Sequence, residues 1–271
     1  MRGTREIAAE IAAAYRDKQV IPTPASRESG FDLTAAYAVE RDLVRMRAAE
    51  GRITTGVKVG FANKAMWRVL KLDTLVWAHM YDDTVRHAAH FDADVSVKKY
   101  VSPKIEPEIV FKLWKPLPEG HAEPTAVLDA VESIALGFEI IDCVYPDWKF
   151  TPIDFVAAYG LHAGLIVGAP LPITAHDIPA LVDQLAAFTV TLKKNGDTVA
   201  QGSGKNSLKS PALCLGELGL SMAKQAAEPL APGEFVSSGT LTEAQLIAPG
   251  ETYTATVDGI DLPSLTVRIV P

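Results

Sequence analysis

The sequence predicts an α+β chain, with a helical N-terminal region ahead of a β-rich remainder. Apolar residues recur at helical spacing through the first fifty positions. From Thr54 onward, short β-branched runs are broken by Gly, Pro and Asn, and one segment, FTVTLKKNGDTVAQGSG, sets two alternating stretches around Asn195-Gly196. A chain of 271 residues suffices for one large domain or for a small and a larger one. The change of texture places the expected boundary between a helical region, 1–55, and a β-rich catalytic domain, 56–271.

The elements follow in order. Ile7, Ile11, Ala12 and Tyr15 define a first amphipathic helix. Residues 22–30 read as a turn. A second helix, DLTAAYAVERDLVRMRAAEG, has Thr34 as an N-cap, Tyr37, Leu43 and Met46 as apolar positions, and Gly51 as its stop. TTGVKVGF reads as a strand, followed by a short helix over 65–70. Residues 74–115 mix apolar runs with polar breaks. LDAVESIA reads as a helix running into a buried strand, LGFEIIDCVY. Asn195-Gly196 accepts the positive φ angles of a type I′ hairpin turn. PALCLGELGLSMAKQAAE is a helix with Pro211 in its first turn and Pro229 beyond its end. The last forty residues are strands and turns, and the two APGE segments, at Ala231 and Ala248, read as equivalent turns before strands.

Composition narrows the function. The net charge is −7 with no long block of like charges, which argues against nucleic acid or an anionic membrane surface as a partner. No apolar run is long enough to span a bilayer, and the N-terminus carries charges where a signal peptide would be apolar. Cys143 and Cys214 form no CxxC pair, which fits a reducing cytoplasm.

PKIEPEIVF carries the chemistry. Side chains alternate along a strand, so Glu106 and Glu108 share one face while Ile105 and Ile109 share the other. Alternation alone also describes a solvated edge strand with a charged outer face. Glu139 bears on the choice, because it sits in the nearly continuous apolar run ALGFEIIDC, where a lone carboxylate is costly unless paired or ligated. Three such carboxylates make an oxygen ligand set for a hard divalent cation and leave room for water and a chelating substrate.

The order Lys-Val-Gly, then Lys-Ile-Glu-x-Glu, then Glu in an apolar strand resembles the fumarylacetoacetate hydrolase superfamily. Within it, the pattern is most similar to the 2-oxopent-4-enoate hydratase and 4-oxalocrotonate decarboxylase group. AYAVERDLV, GVKVGF, GFEIID, KNGDTVAQGSG and LAPGEFVSSGT extend the resemblance over nearly the whole chain. It implies a mixed, rolled β-sheet core, and Glu106, Glu108 and Glu139 as ligands of Mg2+ or Mn2+. It also implies Lys58 as the active-site lysine, and a 237–240 loop that brings Ser238, Gly239 and Thr240 to a substrate carboxylate. The substrate class it implies is a small 2-oxo acid, handled through a metal-bound enolate in a cytoplasmic homo-oligomer, in association with a pathway partner enzyme.

Two departures from the pattern bear on the reaction. Hydratases of the group carry an Asp where this chain has Val76, in Leu75-Val76-Trp77-Ala78, and an Asp-Asn-Ala-Ser stretch corresponds here to Ala158-Tyr159-Gly160-Leu161. The whole-chain pattern puts hydration first, in the catabolism of aromatic compounds. Val76 makes decarboxylation of a 2-oxo-3-hexenedioate the close alternative, with a carbon–carbon hydrolase or a non-catalytic 2-oxo acid binder behind both. His79, three residues after Val76, is the candidate to replace the Asp in proton transfer, against a reading as a histidine satisfied by backbone. Asp73, His162 and Lys149 are weaker candidates of the same kind, and His87 and His90 read as part of a solvated turn.

Overall fold

A computed structural model describes residues 2–89, 91–120 and 122–271. Three helices come first: α1 (Thr4–Asp17), α2 (Pro24–Arg27) and α3 (Leu33–Ala49). The one-turn α2 falls in the stretch read as a turn, with Pro24 at its first position. Asp32, not Thr34, caps α3, its carboxylate accepting from the Ala35 N–H at 2.8 Å. Gly51 follows α3 at φ 80°, as a stop residue should.

Then come β1 (Thr54–Gly60), α4 (Lys64–Leu70), β2 (Val76–Tyr81), β3 (Val85–His87), β4 (Asp92–Ser96), β5 (Lys104–Leu113), α5 (Pro124–Leu128) and β6 (Val131–Ile141). The helix expected over LDAVESIA is replaced in large part by β6. Every residue of β6 except Glu132 is buried, and a strand covered on both faces is apolar throughout, so its sequence imitates a helix. His87 is exposed on β3, and His90 lies outside the described residues.

The remainder holds α6 (Pro152–Ala157), β7 (His162–Val167), β8 (Leu171–Pro172), α7 (Ile178–Ala187), β9 (Thr189–Lys194), β10 (Asp197–Ser203), α8 (Pro211–Lys224), β11 (Phe235–Ser237), β12 (Gln245–Leu246), β13 (Thr252–Asp258) and β14 (Leu265–Val270). The β9–β10 hairpin turns at Asn195 and Gly196, with φ of 52° and 94°. The two APGE turns are alike: the Ala231 N–H donates to Glu234 Oε2 at 2.7 Å, and the Ala248 N–H to Glu251 Oε2 at 2.9 Å.

Among the described residues the strands form two sheets. The larger is mixed and curled, in the order β2-β1-β11-β5-β6-β7-β3, with β12 added to β5 and β8 to β6. The smaller runs β10-β9-β13-β14-β4. One continuous hydrophobic cluster joins Ile7 and Leu43 of the helical region to Ile109 and Phe138 of the large sheet, Leu215 of α8 and Tyr253 of the small sheet. No helix among the described residues is long and apolar enough to cross a membrane.

Candidate metal centre

β5 is an interior strand, with β11 on one side and β6 on the other, so its charged face is not a solvated edge. The antiparallel register sets Glu106 directly opposite Glu139, and Glu108 opposite Gly137. Like charges in directly opposed positions destabilise a sheet, and here Glu108 and Glu139 are both 0% exposed. One carboxylate oxygen from each of Glu106, Glu108 and Glu139 lies within 4.8 Å of the others.

Lys58 comes from β1, which is parallel to β11 and places Lys58 beside Ser237. The ammonium is buried 2.9 Å from Glu139 Oε2 and donates to the Gly160 carbonyl at 3.0 Å. It also lies 4.9 Å from the centroid of the Phe155 ring, which a capping box at Thr151 and Asp154 sets at the start of α6. Gly160 is required at its position. Its φ is 59°, and a Cβ there would lie 2.8 Å from Ala78 Cβ and 2.9 Å from Lys58 Cδ. The other oxygen of Glu139 is 2.8 Å from His162 Nδ1, and His162 Nε2 is 2.9 Å from Thr84 Oγ1.

The 237–240 strap fixes Glu108. Ser237 Oγ and the Gly239 N–H both donate to Glu108 Oε2, at 2.5 and 2.9 Å. The strap is itself anchored, because the Ser238 N–H donates to the Ile109 carbonyl, and the Ser238 carbonyl accepts from Ser207 Oγ and Cys214 Sγ. Glu108 Oε1 is left buried without a hydrogen-bond partner, a costly state for a carboxylate oxygen.

Electrostatics follow from three carboxylates sharing one ammonium. Burial raises the Glu106 pKa to about 7, with Lys58 opposing and Glu139 adding to the rise. Burial pushes Glu108 well above the usual carboxylate range, and the neighbouring Glu139 and Glu106 push it the same way. Glu139 is held below that range: burial would raise it, but Lys58 and His162 outweigh burial. For Lys58, burial disfavours the ammonium, yet the three carboxylates outweigh it and raise its pKa. A divalent cation fits this donor set. It would balance the excess negative charge, engage the orphaned Glu108 oxygen, and meet only hard oxygen ligands, as Mg2+ and Mn2+ prefer.

A cavity of about 250 Å³ opens onto Lys58 and Glu106. Trp148, Phe150 and Phe155 give it an apolar wall, and Asn206, Gly239 and Thr240 give it polar groups. The structure thus brings together Lys58, Glu106, Glu108, Glu139, Gly239 and Thr240. Ser238 is not on the cavity wall; its side chain is fully buried. His79 is not brought to the carboxylates. It lies opposite Val57, whereas Lys58 lies opposite Ala78, so alternation turns His79 to the other face of the sheet. There its Nδ1 is 2.6 Å from Glu40 Oε1 of α3. Burial alone would lower its pKa, but the Glu40 carboxylate outweighs that and raises it.

Asp73 pairs with Lys224 and Lys149 with Asp147, both at the surface. Val76 is fully buried opposite Gly60 and offers no proton. His162, weighed lightly in the sequence, contacts a cluster carboxylate. Ser237 and Gly160 fall in the 237–240 and 158–161 segments that the sequence singles out, but the contacts of the Ser237 hydroxyl with Glu108 and of the Gly160 carbonyl with Lys58 become visible only once distant segments are brought together.

No family model matches the chain. It is similar to a 4-oxalocrotonate decarboxylase of a Pseudomonas species, 30% identical over 215 residues that cover 79% of each chain. It is also similar to 2-keto-4-pentenoate hydratase 1 of Dechloromonas aromatica strain RCB, 26% identical over 260 residues, covering 95% of this chain and 94% of the relative. Among solved structures, the 4-oxalocrotonate decarboxylase from Pseudomonas putida G7, complexed with magnesium and adipate, shares its fold. The TM-score is 0.87 at 24% identity, covering 98% of this chain and 97% of that one. The chain therefore has the fold of the fumarylacetoacetate hydrolase proteins, belongs to the group of 4-oxalocrotonate decarboxylases and 2-keto-4-pentenoate hydratases, and is an enzyme of the lyase class.

Proposed function

We propose that Glu106, Glu108 and Glu139 hold Mg2+ or Mn2+ and that the chain acts on a small, conjugated 2-oxo acid. The observation that carries this reading is the three-carboxylate cluster, buried at Glu108 and Glu139 and opening at Glu106 and Lys58 on a cavity of substrate size. The magnesium- and manganese-complexed structures of similar proteins agree with it. A divalent cation bound there supplies positive charge where negative charge develops on the 2-oxo oxygen.

This chain's own groups do the rest. Lys58, held as an ammonium by its carboxylate neighbours, adds positive charge beside the reacting oxygens and is the group available to move a proton. Ser237 and Gly239 keep Glu108 Oε2 occupied and so orient Oε1. Trp148, Phe150 and Phe155 exclude water from one wall and strengthen each charge interaction inside. Asn206 and Thr240 offer hydrogen bonds to the substrate. The same reading places the enzyme in the cytoplasm as a homo-oligomer, associated with a pathway partner.

Two reactions suit this arrangement. Hydration of a 2-hydroxydienoate is supported by the hydratase relatives, one of them matched over 95% of the chain. Decarboxylation of a 2-oxo-enedioate is supported by Val76. Apart from Lys58 and the cluster's own carboxylates, no acid or base is on the wall of the Lys58 cavity among the described residues, and loss of CO2 requires no group to activate water. Incubation of 2-hydroxypenta-2,4-dienoate and 2-oxohex-3-enedioate with enzyme and Mg2+, with separate assays for 4-hydroxy-2-oxopentanoate and CO2, decides between them. Neither product forming would overturn the proposal.

A further inference from the structure

Resting on that reading of a 2-oxo acid substrate, we infer that the substrate's distal end is a carboxylate, received by Lys205 and Lys209. A second cavity, of about 370 Å³, adjoins the first, and Ala62 and Asn63 line both. The 3-10 turn Gly204–Asn206 sits at their junction, with Asn206 on the wall of the Lys58 cavity and Lys205 on the wall of the adjoining one.

The junction is fixed by backbone. The Leu208 N–H donates to the Ala62 carbonyl at 3.0 Å, which ties the loop after β10 to the loop after β1. Phe61, Leu208 and Lys209 all have positive φ, at 58°, 50° and 70°. That conformation is unfavourable for a residue with a side chain and persists only where the surroundings impose it.

Charge identifies what the second cavity takes. Lys64, Lys205 and Lys209 line it, and none of the three has an ion-pair partner among the described residues. Two acids share the wall. Glu217 is engaged by the Thr74 hydroxyl at 2.6 Å, and Glu123 is exposed at the start of α5. Leu213 and Gly216 of α8, a 14-residue helix, complete the same wall. A cationic recess beside an acidic metal centre, on a chain of net charge −7, suits a substrate with an anion at each end. A monoacid ends in an apolar or hydroxyl group and gains nothing from these lysines. The distal carboxylate makes the substrate a 2-oxo diacid, and of the two reactions it selects decarboxylation.

Calorimetric titration with 2-oxoadipate and 2-oxohexanoate in the presence of Mg2+ tests this. The two share six carbons and the chelating end, and differ only in a distal carboxylate against a methyl group. The wild-type chain binds 2-oxoadipate about five- to tenfold more tightly at low ionic strength, the size that two solvent-exposed charge pairs provide. In the Lys205→Met, Lys209→Met double variant, which keeps the apolar stems, that ratio falls to near one. Equal binding of the two acids by wild type, or a preference that survives the double substitution, would overturn the distal subsite while leaving the 2-oxo acid reading intact. Mg2+-dependent binding of neither acid would remove both.

Discussion

Replacing Lys58 with methionine takes a buried positive charge from among three carboxylates, two of them fully buried. In the metal-free protein the ammonium lies 2.9 Å from Glu139 Oε2 and 3.0 Å from the Gly160 carbonyl, at 2% exposure. Removing one partner of a buried pair costs about 3–5 kcal/mol. Glu139 relieves part of that by taking up a proton, so the lower end, about 3 kcal/mol, is the expected loss. For a chain of this length that corresponds to a fall in Tm of roughly 6–10 °C. Mg2+ should reverse the loss, because a site without the ammonium attracts a cation more strongly. The stabilisation by Mg2+ is therefore larger in the variant than in wild type, while turnover falls by about 10²-fold or more as the positive charge and the proton donor are lost. Differential scanning fluorimetry with and without Mg2+, beside steady-state turnover, reads all three effects. An unchanged Tm without metal, or turnover within about threefold of wild type, would refute the role assigned to Lys58.

Two further outcomes follow from the same electrostatics. Glu106 keeps its proton up to about 7 in the fold, whereas the unfolded chain releases it near 4.5; stability of the metal-free protein from this group therefore falls as pH rises from about 4.5 through 7. Glu139, lowered in the fold, acts in the opposite sense, its contribution present above 4.5 and lost as the pH falls. A bound cation needs all three carboxylates ionised, so the rise in Tm on adding Mg2+ is larger at about pH 8 than at about pH 5.5, and an equal rise at both would contradict the coupling. His79→Gln breaks the pair with Glu40 on the far face of the sheet. It should lower Tm by a few degrees with kcat within about threefold of wild type, and a loss of about 10²-fold in a folded variant would instead assign His79 to catalysis.

Much of this was legible in the sequence because it depends on alternation. The spacing of Glu106 and Glu108 fixes a shared face, and Asn195-Gly196 fixes a hairpin, without knowledge of neighbours. The same alternation could have argued against His79. Lys58 opposite Ala78 turns His79 away, but the pairing register of β1 with β2 is a tertiary fact. LDAVESIA misled for a related reason: a strand buried on both faces has no polar phase, so its period does not distinguish it from a helix. The cap of α3 was only half legible, since Asp32 and Thr34 are both competent caps and only backbone geometry selects Asp32. The 237–240 and 158–161 segments were legible, but the contact of the Ser237 hydroxyl with Glu108 and that of the Gly160 carbonyl with Lys58 were out of reach, because each joins residues distant in sequence.

The central claim is that Glu106, Glu108 and Glu139 form one cation site, and direct metal titration tests it most sharply. Mn2+ binding to wild type and to Glu108→Gln, followed by calorimetry, should show one site per chain in wild type. Glu108→Gln should bind at least about 10-fold more weakly while keeping the fold, since it neutralises a ligand whose Oε1 has no other partner. Equal Mn2+ affinity in the two proteins would contradict the account.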